Sequence, residues 1–311
     1  VVFSEFSLQD PRAWDYFRPI LMENKGWAVF LFTPRGRNHA YNLHLAAKSA
    51  PGWYSEVLTV ADTGIISKED IEAERKAGMS QEMIDQEFHC SFEAAAPGAY
   101  YANELRKARE QGRITRVSYQ SGVPVDTWWD LGIDDSMSIW FSQDVGREVH
   151  FISYYESRGE GLEFYAGVLQ EKIGKWGGVY GQHTAPHDIT VRELGTGKTR
   201  LQTAGTLGIK FKVAQKPAAK EDGIQAVRNI FSICWFDEVA CQYGIDGLAS
   251  YRSEYDETNR VQKRTPIHDW SSHPSDSFQT FALAHKFKGL MDSQRKGRVA
   301  ASPAPTSWMG M

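Results

Sequence analysis

The chain has little cysteine and no long apolar run. Three cysteines stand among its 311 residues, Cys90, Cys234 and Cys241, and their spacing excludes a thiolate metal site. Cys234 and Cys241 fall in an apolar stretch with helical spacing, which predicts two core thiols in a reducing compartment. No run of 18 apolar residues occurs, so no membrane-spanning helix is expected. A basic net charge is also absent. With 35 Lys+Arg against 39 Asp+Glu the chain carries −4 at pH 7, so any hold on nucleic acid has to come from local patches. The opening 1-VVFSEF-6 has neither an initiator methionine nor a basic segment. No secretory signal is expected, and a start inside an apolar run predicts a fragment whose true beginning lies upstream. Repeats and low-complexity blocks are lacking. So is a complete phosphate-binding loop: 195-GTGKT-199 has the right ending, but the glycine needed five residues before Gly197 is Arg192. This stretch reads as a loop in which Lys198 and Arg200 meet DNA phosphates, or as an ordinary solvated one.

What is present is a two-part pattern. In residues 1–60, two short apolar runs, 1-VVFSEFS-7 and 27-WAVFLFT-33, flank 8-LQDPRAWDYFRPILMEN-24, which predicts a βαβ unit of a parallel sheet. Residues 61–118 read as a helical linker, with a charged helix over 66–88, capped by Ser67 with Asp70 three residues on, and a basic helix over 101–113. From 119 to 290 the pattern predicts a mixed-sheet α/β domain. Three strands (125–132, 136–143, 148–157) form an antiparallel meander. A helix over 161–176, a strand from 178 into a polar loop at 188, a strand over 209–216 and helices over 222–238 and 276–289 follow. The tail, 291–311, reads as loose.

Carboxylates sit where this pattern makes them conspicuous. The stretch 127-TWWDLGIDDS-136 puts Asp130 between Trp129 and Leu131 in an apolar strand, and strands disfavour aspartate. Asp188 follows a later strand, and Asp276 stands at the expected start of the last helix. Turn and helix-dipole roles also account for Asp188 and Asp276. Asp134 and Asp135 suit a turn, and His187, His268 and His273 lie beside the acids. Converging carboxylates raise one another's pKa unless a cation joins them, and an all-oxygen set suits Mg2+ or Mn2+. Two such ions about 4 Å apart activate a water and stabilise the leaving oxygen of a phosphodiester.

Taken together, these segments resemble the large subunit of tailed-phage terminases over about residues 1–290. The resemblance implies an RNase H-like (RuvC-type) nuclease domain preceded by the C-terminal part of a P-loop ATPase fold and a helical linker. Its nuclease motifs match 130-DLGIDD-135, 186-PHDI-189 and 268-HDWSSHPSD-276. They imply Asp130, Asp188 and Asp276 as metal ligands, supported by Asp135 (or Asp134) and Asp269. The strand 1-VVFSEFS-7 looks like the Walker B strand, with Glu5 polarising the attacking water and Ser4 where an aspartate is usual. The segment 32-FTPRG-36, with Thr33, Arg35 and Gly36, looks like the coupling motif that senses the γ-phosphate.

The family's phosphate loop would lie upstream of Val1, so ATP hydrolysis is expected only with that segment. The implied activity is cutting of concatemeric phage DNA with little sequence preference. The implied partners are double-stranded DNA, held by Arg106, Lys107, Arg109, Arg113, Lys198 and Arg200, together with a portal protein, a small terminase subunit and a homo-oligomeric ring. The implied setting is the cytoplasm of an infected bacterium. An inert DNA-binding or docking module, and another RNase H-like nuclease such as a resolvase or transposase, are the alternatives.

Overall fold

The computed structural model describes residues 1–36, 38–79, 81–92, 98–132, 136–192, 197–256 and 261–286. The tail expected over 291–311, and Asp134 and Asp135, lie outside them.

The N-terminal unit is the expected βαβ. Strand β1 (Val2–Ser4), helix α1 (Arg12–Glu23) and strand β2 (Val29–Leu31) are followed by α2 (His39–Ser49). The strands run parallel, with Phe3 opposite Phe30. Phe3, Phe6 and Ala40 are buried beneath Trp14, Phe30 and Leu43. Next come α3 (Val60–Thr63), α4 (Lys68–Lys76) and α5 (Gln81–Glu87). The Ser67–Asp70 cap opens α4 as expected, with the Asp70 amide bound to Ser67 Oγ at 3.1 Å.

The remainder is built on one seven-stranded sheet. Helix α6 (Ala102–Glu110) leads into β3 (Ile114–Thr115), β4 (Val125–Asp130), β5 (Ser136–Val145), β6 (Glu148–Arg158), α7 (Leu162–Trp176) and β7 (Tyr180–Ala185). Then follow α8 (Arg200–Thr206), β8 (Phe211–Val213), α9 (Lys220–Ile230), β9 (Cys234–Asp237), α10 (Gln242–Ser250), a hairpin of β10 (Ser253–Asp256) and β11 (Val261–Pro266), and α11 (Ser272–Ala284). The sheet order is β3-β9-β6-β5-β4-β7-β8. On one side of β4 the β5 and β6 pairings are antiparallel; on the other, β7 and β8 are parallel. The five strands β6-β5-β4-β7-β8 thus form a mixed sheet with β4 at its centre.

Both faces of this sheet are covered, so β4 and β5 are buried along most of their length. Alternate residues feed two cores. Trp128, Trp140, Phe151 and Phe236 pack with Phe278 and Phe281 of α11 and Ile245 and Leu248 of α10. Trp129, Ile139, Phe141 and Ile152 pack with Tyr165 and Leu169 of α7.

Three expectations about this region need correction. The helix over 222–238 stops at Ile230, and Cys234–Asp237 is a strand instead. An apolar stretch such as 230-IFSICWF-236 suits either state locally, and pairing decides it: β9 lies between β6 and β3, with Cys234 opposite Val149. Cys234 and Cys241 are buried free thiols as expected, but Cys234 is on a strand and Cys241 precedes α10. Finally, the packing of the sheet unit reaches into the expected linker. Tyr101, Leu105 and Ala108 join its core, and Ile114 pairs with Phe236.

Gly244 and Gly247 weaken the local helical propensity of the stretch that forms α10. Here each glycine serves a close approach. A Cβ on Gly244 would sit 2.4 Å from the Trp140 ring, and one on Gly247 would sit 2.1 Å from the Pro274 ring. The same helix carries Asp246, 3% exposed, bound by Gln242 Nε2 at 2.9 Å and facing Arg109. Burial pushes this carboxyl up to about 7 against the pull of both partners. An acid with a raised native pKa holds its proton more tightly when folded. Its favourable contribution is therefore full below about pH 4 and is lost as pH rises to 7. Asp246→Asn is expected to melt higher than the wild type above pH 7, by at most roughly 4 kcal/mol at about 1.36 kcal/mol per pKa unit. The difference should vanish near pH 4 in paired melting curves, and a pH-independent gap would refute this account.

Candidate active site

Strand pairing brings the acids together. Asp130 is the last residue of β4. In the parallel neighbour β7, Thr184 is level with Trp128, so the chain leaving β7 emerges at the same sheet edge as Asp130. A short 3-10 turn, His187–Thr190, places Asp188 there. Helix α11 crosses β4, β5 and β7 and brings in Asp276. Asp130 feels the charge of both Asp188 and Asp276, although 58 and 146 residues separate them in sequence.

The Asp130 side chain is 22% exposed. Burial, foremost, and then the two neighbouring acids push its carboxyl up to about 6, while His273, with Nδ1 3.7 Å from Asp130 Oδ2, pulls the other way. Asp188 Oδ1 is buried with no hydrogen-bond partner. Asp276 Oδ1 meets Lys220 Nζ at 2.6 Å and Gln279 Nε2 at 3.2 Å.

Helix α11 starts earlier than its sequence suggests. It begins at Ser272, so Asp276 lies one turn inside rather than at the opening. The Ser275 hydroxyl donates to Ser271 O at 2.9 Å. The first turn is fixed by β5 instead: Ser138 Oγ lies 2.8 Å from His273 O, and Trp140 Nε1 donates to Pro274 O at 2.9 Å. This contact positions His273 against Asp130. Asp269 is engaged at the helix entry, accepting the Ser271 amide at 2.9 Å and lying 3.4 Å from Arg252 Nη1.

His273 carried the signal that sequence reading undervalued. It sits three residues before Asp276 in a histidine- and aspartate-rich loop, a spacing that puts both side chains on one helix face.

Whether these residues suit a metal rests on their donors. Asp188, with an orphaned buried oxygen, and Asp276 both act on the desolvated Asp130, which is the oxygen-rich chemistry a hard divalent cation takes up. Among the described residues, no three His, Cys, Asp or Glu side chains stand close enough to form a ready ion cage, and Asp135 lies outside those residues. The donor set fits; Lys220 occupies the oxygen of Asp276.

The other expected site residues are dispersed. Glu5 follows β1 in the left-handed region, φ 54, which is uncommon for a residue with a Cβ. Thr33 O accepts from Ser7 Oγ at 2.8 Å, and Gly36 turns at φ 73. Arg35 is paired with Glu87 of α5 at 2.8 Å, tying the linker to the N-terminal unit. Of the basic candidates, Lys198 is exposed and Arg200 half-buried at the start of α8. Arg109 faces Asp246, and Arg106 pairs with Glu110 at 2.7 Å. Arg113 is not available to DNA: it is 6% exposed and donates to Phe231 O and Cys234 O at 2.9 and 2.7 Å. No helix among the described residues is long and apolar enough to cross a membrane.

No protein-family model matches the chain, and no curated protein matches it. Among solved structures it is similar to phage large terminases. The large terminase from a thermophilic bacteriophage, in complex with ADP, is 15% identical; the match covers 92% of this chain and 69% of that one, with a TM-score of 0.47. The nuclease domain of the P22 large terminase is 14% identical, covering 55% of this chain and 87% of its own, with a TM-score of 0.41. The large terminase nuclease from thermophilic phage G20c, with bound cobalt, is 15% identical, covering 56% and 92%, with a TM-score of 0.37.

Proposed function

We propose that the acidic edge of the sheet is a divalent-metal-dependent DNA endonuclease site and that the chain is part of a phage packaging terminase. The observation that carries this reading is that Asp188, from a post-strand turn, and Asp276, from a covering helix, both act on Asp130 at the end of β4, with Asp188 Oδ1 buried and unpartnered. Asp130 and Asp188 would hold the ions, with Asp276 joining when it leaves Lys220; Asp135 and Asp269 are the further candidates. Divalent ions, when bound, supply the charge that activates water and neutralises the leaving oxygen of a phosphodiester. The chain's own part is placement. Strand β4 fixes Asp130, His273 orients its carboxylate, and Lys198 and Arg200 would steady the phosphate backbone through contacts that carry no base sequence.

Glu5, Thr33, Arg35 and Gly36 belong, on this reading, to the nucleotide end of a motor that needs a phosphate loop not contained in this sequence. Double-stranded DNA, a portal, a small subunit and a ring of copies would be the partners, and the infected host's cytoplasm the setting. One observation favours the runner-up, an inert docking module: Lys220 already neutralises Asp276.

Plasmid cleavage separates the readings. The wild type is expected to nick and linearise supercoiled DNA with Mn2+, to stop on addition of chelator, and to cut linear and branched DNA alike. Asp188→Asn should abolish cutting while still retarding DNA in a gel. No cleavage by the wild type at any Mn2+ concentration would favour the inert module, and a strong preference for branched DNA a resolvase.

A further inference from the structure

A second carboxylate lies near His273. Strand pairing sets Asp130 opposite Ser138 and Ser138 opposite Glu156, so the three share one row on the α11 face of the sheet. The Glu156 side chain is 2% exposed. Its cationic neighbour comes from the other unit of the molecule: Arg12 Nη2, at the start of α1, stands 3.1 Å from Glu156 Oε1. Arg12 is itself braced by Asp10 at 2.7 Å and lies over the Tyr243 ring, 4.8 Å from its centroid. Tyr243 in turn donates to Asp10 at 3.1 Å. His273 acts electrostatically on both Asp130 and Glu156, so one imidazole serves two carboxylates.

We propose that Arg12 is a positioning residue of the acidic site: by occupying Glu156 it leaves His273 to Asp130, so that the site is correctly set only while the N-terminal unit is docked. This rests on reading the acidic edge as a nuclease. The physical reason is competition. A buried carboxylate without its cation attracts the nearest alternative cation; Tyr154 already donates to Glu156 Oε2, and besides Arg12 the cation acting on Glu156 is His273. Arg12 lies seven residues after Glu5, and the intervening turn is anchored to the sheet unit by Trp270 Nε1 donating to Leu8 O at 3.4 Å. Movement of the segment after β1 therefore reaches Arg12 directly.

The test uses the whole chain and three variants: Arg12→Gln, Glu156→Gln and the double variant. Arg12→Gln is expected to lower kcat for Mn2+-dependent plasmid cleavage roughly ten- to a hundred-fold, the range seen when a residue orienting a metal ligand is lost, with KM for DNA unchanged. The double variant should recover most of that loss, because an uncharged residue 156 no longer competes for His273. A general loss of packing would instead worsen in the double variant.

The imidazole signals of His273, assigned by comparison with His273→Gln in metal-free protein, provide a readout without catalysis. They should move in Arg12→Gln and return in the double variant. Wild-type cleavage by Arg12→Gln, or a double variant as slow as the single, overturns the clamp and leaves the nuclease reading intact. If no form cleaves, the nuclease reading fails, and His273 signals unchanged by Arg12→Gln overturn the clamp as well.

Discussion

Asp130→Asn is expected to abolish DNA cleavage and, in metal-free protein, to raise the melting temperature. The two effects have one cause. Asp130 ends an apolar strand with Asp188 and Asp276 acting on it, and burial and repulsion push its carboxyl up to about 6. Because the folded state favours the protonated acid, the charged form costs stability. That cost is absent below about pH 4, grows as pH rises to 6, and is fully present at pH 7. At about 1.36 kcal/mol per unit it amounts to roughly 3 kcal/mol, less whatever the exposed fifth of the side chain relieves. Asparagine keeps the shape and removes the charge. For catalysis the same charge is the asset. Losing a metal's stabilisation, worth several kcal/mol, slows a reaction by roughly a hundred- to a thousand-fold or more. Paired melting curves at pH 4 and 7.5, with and without Mn2+, check both halves. A variant that melts lower than the wild type at pH 7.5 without metal, or that still cuts plasmid, contradicts the assignment.

Trp140→Ala is the largest expected loss of stability, about 3–5 kcal/mol, the cost of emptying a large buried aromatic site. Trp140 is fully buried and meets Phe151, Tyr154, Phe236 and Phe278 at ring-centroid distances of 4.7 to 5.9 Å. Its indole also holds Pro274 O, so the first turn of α11 loses an anchor beside His273. Trp140→Phe keeps part of the packing and gives up that hydrogen bond; it should cost less stability and still impair cleavage. Urea titrations followed by circular dichroism measure both. A loss below 1 kcal/mol for the alanine variant would mean that α10 and α11 are held by something other than this side chain.

The legible parts of the sequence were those where local pattern and tertiary need agree. The meander of β4, β5 and β6 is rich in aromatic and β-branched residues, and nothing local explains an aspartate after Trp129. Asp188 and Asp276 were placed by their relation to expected elements; the β4–β7 pairing sets the turn carrying Asp188 at the end of β4, and α11 carries Asp276 across the same strands. Where local and tertiary signals disagree, reading failed. The stretch 234-CWFD-237 suits a helix or a strand until β6 and β3 flank it. Gly244 and Gly247 argue against the helix they help to pack. The sequence suggests that α11 opens at Asp276, but β5 fixes its first turn at Ser272 through Ser138 and Trp140. Glu156 had no sequence signal at all; its partner Arg12 is 144 residues away.

Two adjacent tryptophans on β4 have a consequence for how the sheet unit comes apart. Trp128 belongs to one core and Trp129 to the other, so one strand is the inner wall of both. Stripping away α7 would wet Trp129 and loosen the same backbone that carries Trp128. Neither half can persist as an independent body, and denaturation of this unit should proceed in a single step, with both indoles reaching solvent together.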